Sequence, residues 1–194
     1  VNPRRSTSEA ASAALGIDTA TGFLSLAIVD SEGSALAESA AEVWRDHAVR
    51  IVPEIEALFV AAGIGPESIG VVCVGTGPGS YTGLRIGIAT ATGLAYGWNV
   101  PVVGGDTLAA LAASGLSAGE TGIAAIDARR GNVYFGVYRL GPTGPATLAA
   151  PIKASRESVR ASYPGLRIIE GTAPSAVWHA RAAREMKPAT AVYL

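Results

Sequence analysis

The chain of 194 residues has one cysteine, one methionine, two histidines and three phenylalanines, and only 16 % of its residues are charged. Each shortage excludes something. A lone cysteine, Cys73, permits no disulfide within the chain, and its place inside an apolar run reads as a core thiol rather than a nucleophile. Two histidines and one cysteine do not furnish a zinc cluster. A net charge of −1 supplies no basic field that would hold nucleic acid by itself. No apolar run reaches the ~18 residues a membrane helix needs. Val1 to Ala13 carries Arg4 and Arg5 but no apolar stretch, so it reads as a disordered extension and not a signal peptide. The expectation is a soluble cytoplasmic protein. What the chain has in quantity is apolar residue, 49 %, enough for a sizeable core and against disorder.

The rest of the chain is organised around Val74-Gly75-Thr76-Gly77-Pro78-Gly79-Ser80-Tyr81-Thr82-Gly83-Leu84-Arg85-Ile86-Gly87. An apolar run, Ile69 to Val74, precedes it and reads as a buried strand. A helical segment, Thr82 to Trp98, follows it. A strand that passes through a glycine-rich loop into a helix is the usual geometry of an anion site, because backbone N–H groups come close and the helix N-terminus is partially positive. The spacing matches neither G-x-G-x-x-G nor a Walker A loop. Two readings therefore stand: phosphate contact, or a tight turn that needs glycine for its own backbone. Ser80 or Thr82 can cap the helix. Within that helix Gly83, Gly87, Ala91 and Ala95 recur every four residues, a small face that admits another backbone closely. The sequence leaves open whether that backbone is internal or belongs to another subunit.

The other elements follow in order. Leu15 to Asp18, Phe23 to Asp30 and Ser34 to Glu42 read as three strands with tight connections. Asp18, beside Thr19 at the first strand's end, suits either water-mediated Mg²⁺ binding near a phosphate or an Asx-turn. Asp46 is expected to N-cap a helix to about Ala62, with His47 on its surface and Pro53 kinking it. Val49, Val52, Leu58 and Phe59 belong to this helix's apolar positions. A strand at Asn99 to Val103 and a helix at Thr107 to Ser114, capped by Asp106, close the first half. The second half begins with Ile123 to Asp127, a turn at Arg129 and Arg130, and a strand to Leu140. It continues with a loop at Gly141 to Pro145, a helix capped by Ser155, a strand at Leu166 to Glu170, a helix at Ala173 to Met186 and an extended end, Pro188 to Leu194. Ile126-Asp127 echoes Ile17-Asp18, which suggests two lobes that each open with a strand, an aspartate turn and a hairpin. The class is α/β, with residues 1–13 as the extension, 14–114 as the first lobe and 115–194 as a smaller second lobe.

Ile17-Asp18-Thr19, Asp46-His47, the run from Gly77 to Gly87, Pro101 to Gly104, Ile126 to Tyr134 and the closing Ala191-Val192-Tyr193-Leu194 together resemble the TsaB (YeaZ) family. The resemblance covers about residues 14 to 194, and the glycine run is its most specific part. It implies an actin/hexokinase/Hsp70-like (ASKHA) fold of two lobes, here with the C-terminal lobe abbreviated. It implies a non-catalytic subunit for threonylcarbamoyladenosine formation beside the tRNA anticodon, dimerising with TsaD and linked to the ATPase TsaE and the threonylcarbamoyl-AMP synthase. The tRNA would be reached indirectly, through the complex. The implied interface uses residues 46–62 and 82–97: Val49, Val52, Leu58, Phe59, Gly83, Arg85, Gly87, Ala91 and Ala95. The same helices would pair two copies when the partner is absent. Asp18, Thr19, Gly77, Gly79 and Ser80 would shape a nucleotide or phosphate cleft, with Arg85 and Arg129 as polar contacts at the subunit boundary. No cofactor is required of this chain, and ATP or ADP with Mg²⁺ would sit at the partner boundary if anywhere. The His-x-x-x-His metal motif of the catalytic relative is missing, and Ser80 has no His/Asp partner for peptidase chemistry. The alternative reading is a small-molecule kinase-like ATPase of the same fold.

Overall fold

The computed structural model describes residues 13–185. Most of the expected extension and the closing segment lie outside these residues. Ala13, expected to end the extension, already belongs to the first strand and is buried.

Three strands open the chain: β1 (Ala13–Asp18), β2 (Phe23–Val29) and β3 (Ala35–Glu42). Then come α1 (His47–Ala62), β4 (Ile69–Gly75), α2 (Tyr81–Trp98), β5 (Val102–Gly105) and α3 (Thr107–Gly115). The second half comprises β6 (Thr121–Asp127), β7 (Asn132–Gly141), β8 (Gly144–Ser155), α4 (Arg156–Ser162), β9 (Arg167–Ile169) and α5 (Ala176–Glu185). The first sheet has the order β3-β2-β1-β4-β5 and the second β8-β7-β6-β9. In each, short turns make an antiparallel three-strand meander, and a crossover containing a helix adds a parallel strand beside the first. The second sheet is the first without its fifth strand. The expected two-lobed α/β architecture with an abbreviated second lobe is what the chain adopts.

The first sheet is covered on both faces, so β1 is buried along its whole length instead of alternating. Leu15, Ile17, Leu24, Leu26 and Ile28 pack under Ile51 and Ile55 of α1 and Ala91 and Ala95 of α2. On the opposite face, α5 returns from the second half and packs Ala180 on Ala14 and Val29, and Ala183 on Cys73 and Val103. Its backbone comes so close that a Cβ on Gly16 would lie 2.1 Å from the Ala176 carbonyl oxygen.

Several local expectations change. Pro53 sits on the exposed side of one uninterrupted helix, α1. Asp46 caps that helix through its backbone carbonyl, which accepts from Val49 and Arg50, and not through its carboxylate. His47 is buried, and its Nε2 donates to the Phe23 carbonyl at 3.0 Å, pinning α1 to the start of β2. Residues 144–155 form a twelve-residue strand, β8, which begins inside the expected loop at Gly141 to Pro145 and runs through a stretch to which the sequence reading gives no element. Pro145 and Pro151 obscure it, and both are tolerated because β8 is an edge strand. Ser80, Asp106 and Ser155 cap α2, α3 and α4 as expected.

Gly93 and Gly97 occupy the exposed side of α2 with open space where a Cβ would go. Gly93→Ala is expected to stabilise the chain by about 0.5–1 kcal/mol, read as a higher urea midpoint at unchanged m-value.

Candidate functional site: a filled cleft and an uncovered helical face

Asp18 ends β1 beneath the glycine loop that joins β4 to α2. Its side chain is fully buried. Oδ1 accepts from the Ala20 N–H at 2.9 Å, an Asx-turn, and Oδ2 accepts from the Thr107 hydroxyl at 2.9 Å. Oδ2 also meets Nε2 of His179, on α5, at 2.8 Å. His179 is itself fully buried, with Nδ1 directed toward Gly105 and Cys73 without a well-formed hydrogen bond. Burial opposes charge on this ring, but the Asp18 hydrogen bond, the Cys73 thiol and the Asp18 charge outweigh it. The imidazole pKa is raised to about 10. The shift favours the protonated ring, which faces the Asp18 carboxylate.

This arrangement packs closely under the loop for which the sequence leaves open a phosphate contact or a tight turn. A Cβ on Gly75 would lie 2.1 Å from Asp18 Oδ2, and one on Gly79 would lie 2.2 Å from the Ala20 carbonyl oxygen. Two of the loop's donors are spent internally: Ser80 N–H on the Ala20 carbonyl at 2.7 Å, and Gly77 N–H on Thr107 Oγ1 at 3.3 Å. Ser80 Oγ accepts from Gly83 N–H as the helix cap. Thr19, also fully buried, donates to the Gly83 carbonyl at 2.8 Å. Asp18, Thr19, Gly77, Gly79 and Ser80 are thus brought together as expected, and many of their polar groups bond within the chain.

The small row of α2 is corrected on the same ground. Gly83, Gly87, Ala91 and Ala95 are its buried residues. A Cβ on Gly83 would lie 2.0 Å from the Thr19 carbonyl oxygen, and one on Gly87 2.2 Å from Thr19 Oγ1. The closely approaching backbone is the chain's own. Leu58 and Phe59 are likewise core residues, Phe59 meeting Trp98 edge-on with ring centroids 5.7 Å apart.

What α1 and α2 present outward is different. Val49 (76 % exposed), Val52, Val60 (83 %), Tyr81 and Tyr96 (89 %) are large apolar or aromatic side chains on their solvent side. Arg85 stacks over Tyr81, with its guanidinium carbon 4.3 Å from the ring centroid. From the expected interface set, Val49, Val52 and Arg85 remain. Val60, Tyr81 and Tyr96 are additions that the sequence would yield if the apolar positions off each helix's buried stripe were sought.

Arg129 and Arg130 sit at the exposed β6–β7 turn with φ of 63° and 54°, and Asp127 Oδ1 accepts from the Arg129 N–H at 3.3 Å. Asp127 repeats the Asx-turn of Asp18 without its buried partners. The lobes are tied by Tyr138 of β7, which donates to Asp106 Oδ2 at 2.8 Å, and burial and that carboxylate push its pKa up.

A family model described as TsaD, tRNA N6-adenosine threonylcarbamoyltransferase, matches residues 39–185. The chain is similar to the tRNA threonylcarbamoyladenosine biosynthesis protein TsaB of Bacillus subtilis, 35% identical over 125 residues, 64% of this chain and 54% of the relative. The protein of the same description from Escherichia coli is 39% identical over 133 residues, 67% of this chain and 56% of the relative. Among solved structures, YeaZ from Pseudomonas aeruginosa matches with a TM-score of 0.74 at 26% identity, covering 90% of this chain and 91% of that one. The chain belongs to the TsaB/YeaZ family. As a family member it spans about half the length of the curated TsaB relatives it matches. None of its described helices is long and apolar enough to cross a membrane, and the described residues hold no cluster of three or more metal-ligating side chains.

Proposed function

We propose that this TsaB/YeaZ chain takes part in tRNA threonylcarbamoyladenosine biosynthesis as a non-catalytic subunit. It binds TsaD through the outward face of α1 and α2 and leaves the transfer of the threonylcarbamoyl group to that partner. The observation that carries this reading is the exposure of Val49, Val52 and Val60 on α1 and of Tyr81 and Tyr96 on α2, with Arg85 stacked on Tyr81. Aromatic and aliphatic side chains with an arginine are the composition of binding hot spots. The filled cleft around Asp18 supports the assignment of nucleotide chemistry elsewhere in the complex, with ATP or ADP and Mg²⁺ at the partner boundary. TsaE joins through TsaD, and the tRNA is engaged through the assembled complex. Without TsaD the same face pairs two copies of this chain, in the cytoplasm as in the purified protein.

Size-exclusion chromatography with light scattering, on this chain alone and mixed with TsaD from the same organism, tests the reading. A one-to-one complex is expected, and with it tRNA modification in a reconstituted assay. Val52→Glu, on the exposed face, is expected to weaken the complex by at least ~30-fold, since a central hot spot contributes about 2 kcal/mol or more. The melting temperature should stay unchanged. Unaltered affinity in that variant overturns the interface, and ATP hydrolysis by the isolated chain that Asp18→Asn removes returns the kinase-like alternative.

A further inference from the structure

A second cleft, with a volume of about 350 Å³, lies on the opposite face of the first sheet from α1 and α2. Its floor is β2 and β3, and its wall is the segment 173–177 that leads into α5. The strand register places Ser25 opposite Ala40 and Ala27 opposite Glu38, so Ser25 and Glu38 stand on the same face of neighbouring strands. Ser25 is 1 % exposed, lines the cleft, and its hydroxyl has no hydrogen-bond partner. A buried hydroxyl left unpaired is costly, and native proteins seldom carry one without a reason. Glu38 is exposed to the cleft, with no ion pair among the described residues.

The wall adds a third element. At the start of α5, the Ser175 hydroxyl accepts from the Trp178 N–H and the Ser175 carbonyl from the His179 N–H. The N–H groups of Ala176 and Val177, at the helix N-terminus and in the cleft lining, have no partner within the helix. The loop before them is held in place: Ser114 donates to the Ala173 carbonyl at 2.7 Å, and the Ser175 N–H donates to the Ala110 carbonyl. One end of the cleft therefore offers hydroxyl and backbone N–H donors at the positive end of a ten-residue helix, and the other offers a carboxylate. The rest of the lining is of small or modest side chains, among them Ala40, Pro174 and Ala176 with Ser39 and Ser114.

We infer that this cleft is a binding site for a small free α-amino acid. The ligand carboxylate takes the N–H groups of Ala176 and Val177 and the Ser25 hydroxyl, and its ammonium group takes Glu38. A simple anion would meet Glu38 unfavourably and a simple amine would meet the helix N-terminus unfavourably, so the two ends together select a zwitterion. The site is independent of the α1/α2 face and of the subunit reading.

Titration calorimetry and ligand-observed NMR on the full chain, with glycine, L-alanine, L-serine and L-threonine as probes, test this. Acetate and methylammonium serve as the two half-ligands. At least one amino acid is expected to bind saturably and at least tenfold tighter than either half-ligand. Glu38→Gln should weaken it by fivefold or more. Ser25→Ala should raise the melting temperature of the free protein, because it removes an unpaired buried hydroxyl, while weakening the amino acid severalfold. Absence of saturable binding by all four amino acids overturns the proposal. So does binding that Glu38→Gln leaves unchanged, or tighter binding of acetate than of any amino acid.

Discussion

Replacing His179 by alanine is expected to remove about 3–5 kcal/mol of folding stability, because it strands the buried Asp18 carboxylate without its charge partner. That is a large part of the ~5–15 kcal/mol by which a domain is stable, so the variant should melt far below the parent or fail to accumulate. Asp18→Ala combined with His179→Phe should cost clearly less than the two single changes added together, because neither charge is then left alone. The pair also sets a pH dependence. The imidazole pKa is raised from its ordinary 6.5 to about 10 in the folded chain. The folded state thus holds a proton that the unfolded state releases above pH 6.5. The pair's contribution is fully present below that pH and is lost as pH rises through 6.5 toward 10, at up to about 1.36 kcal/mol per pH unit. Urea melts at pH 6, 8 and 9.5 should show declining stability, and that part of the decline should vanish in the Asp18→Ala/His179→Phe double variant.

The second large effect is expected at Gly83. An alanine Cβ there would lie 2.0 Å from the Thr19 carbonyl oxygen, a backbone atom in a strand-end turn that is held on both sides. At Gly87 the nearest atom is instead Thr19 Oγ1, a side-chain atom that can rotate away if it gives up its bond to the Gly83 carbonyl. Gly83→Ala should therefore destabilise by about 3 kcal/mol or more, and Gly87→Ala by roughly 1–3 kcal/mol, the cost range of overpacking. Gly87→Leu, which suits an exposed helix–helix contact, should misfold and not merely lose a partner. Thermal denaturation of the three variants gives the ordering; equal effects at Gly83 and Gly87 would mean that Thr19 does not sit where the structure places it.

Much of this was legible in the chain itself. The glycine run, its flanking strand and helix, and the caps at Ser80, Asp106 and Ser155 are local signals, written within a few residues of where they act. The duplicated Ile-Asp turn correctly foretold the repeated sheet. The identity of the surface packed against Gly83, Gly87, Ala91 and Ala95 was not legible, because a four-residue repeat of small side chains reports that something comes near and not what it is. Thr19 lies 64 residues from Gly83. His179 is the clearer case. As an isolated histidine on the last helix it has no local partner, and only the return of α5 onto the first sheet brings it to Asp18. His47 escaped for the opposite reason: a histidine at a helix start looks solvated, and nothing nearby in sequence announces that Phe23 will cover it. Proline masked β8, since the sequence does not reveal which strand lies at an edge.

The return of α5 also fixes the order in which this protein can be completed during synthesis. The bond between Asp18 and His179 spans 161 residues. A ribosome adding about 5–20 residues per second needs roughly 8–30 s to deliver the second after the first. Through that interval the sheet that begins at Ala13 has one apolar face, Ala14, Val29 and Cys73, without its cover, and one carboxylate without its counterion. The nascent first lobe is thus held short of its native state until α5 has emerged. A fragment cut after α3 should populate a loosely packed, chaperone-dependent form, and α5 acts as the clasp that ends this vulnerable period.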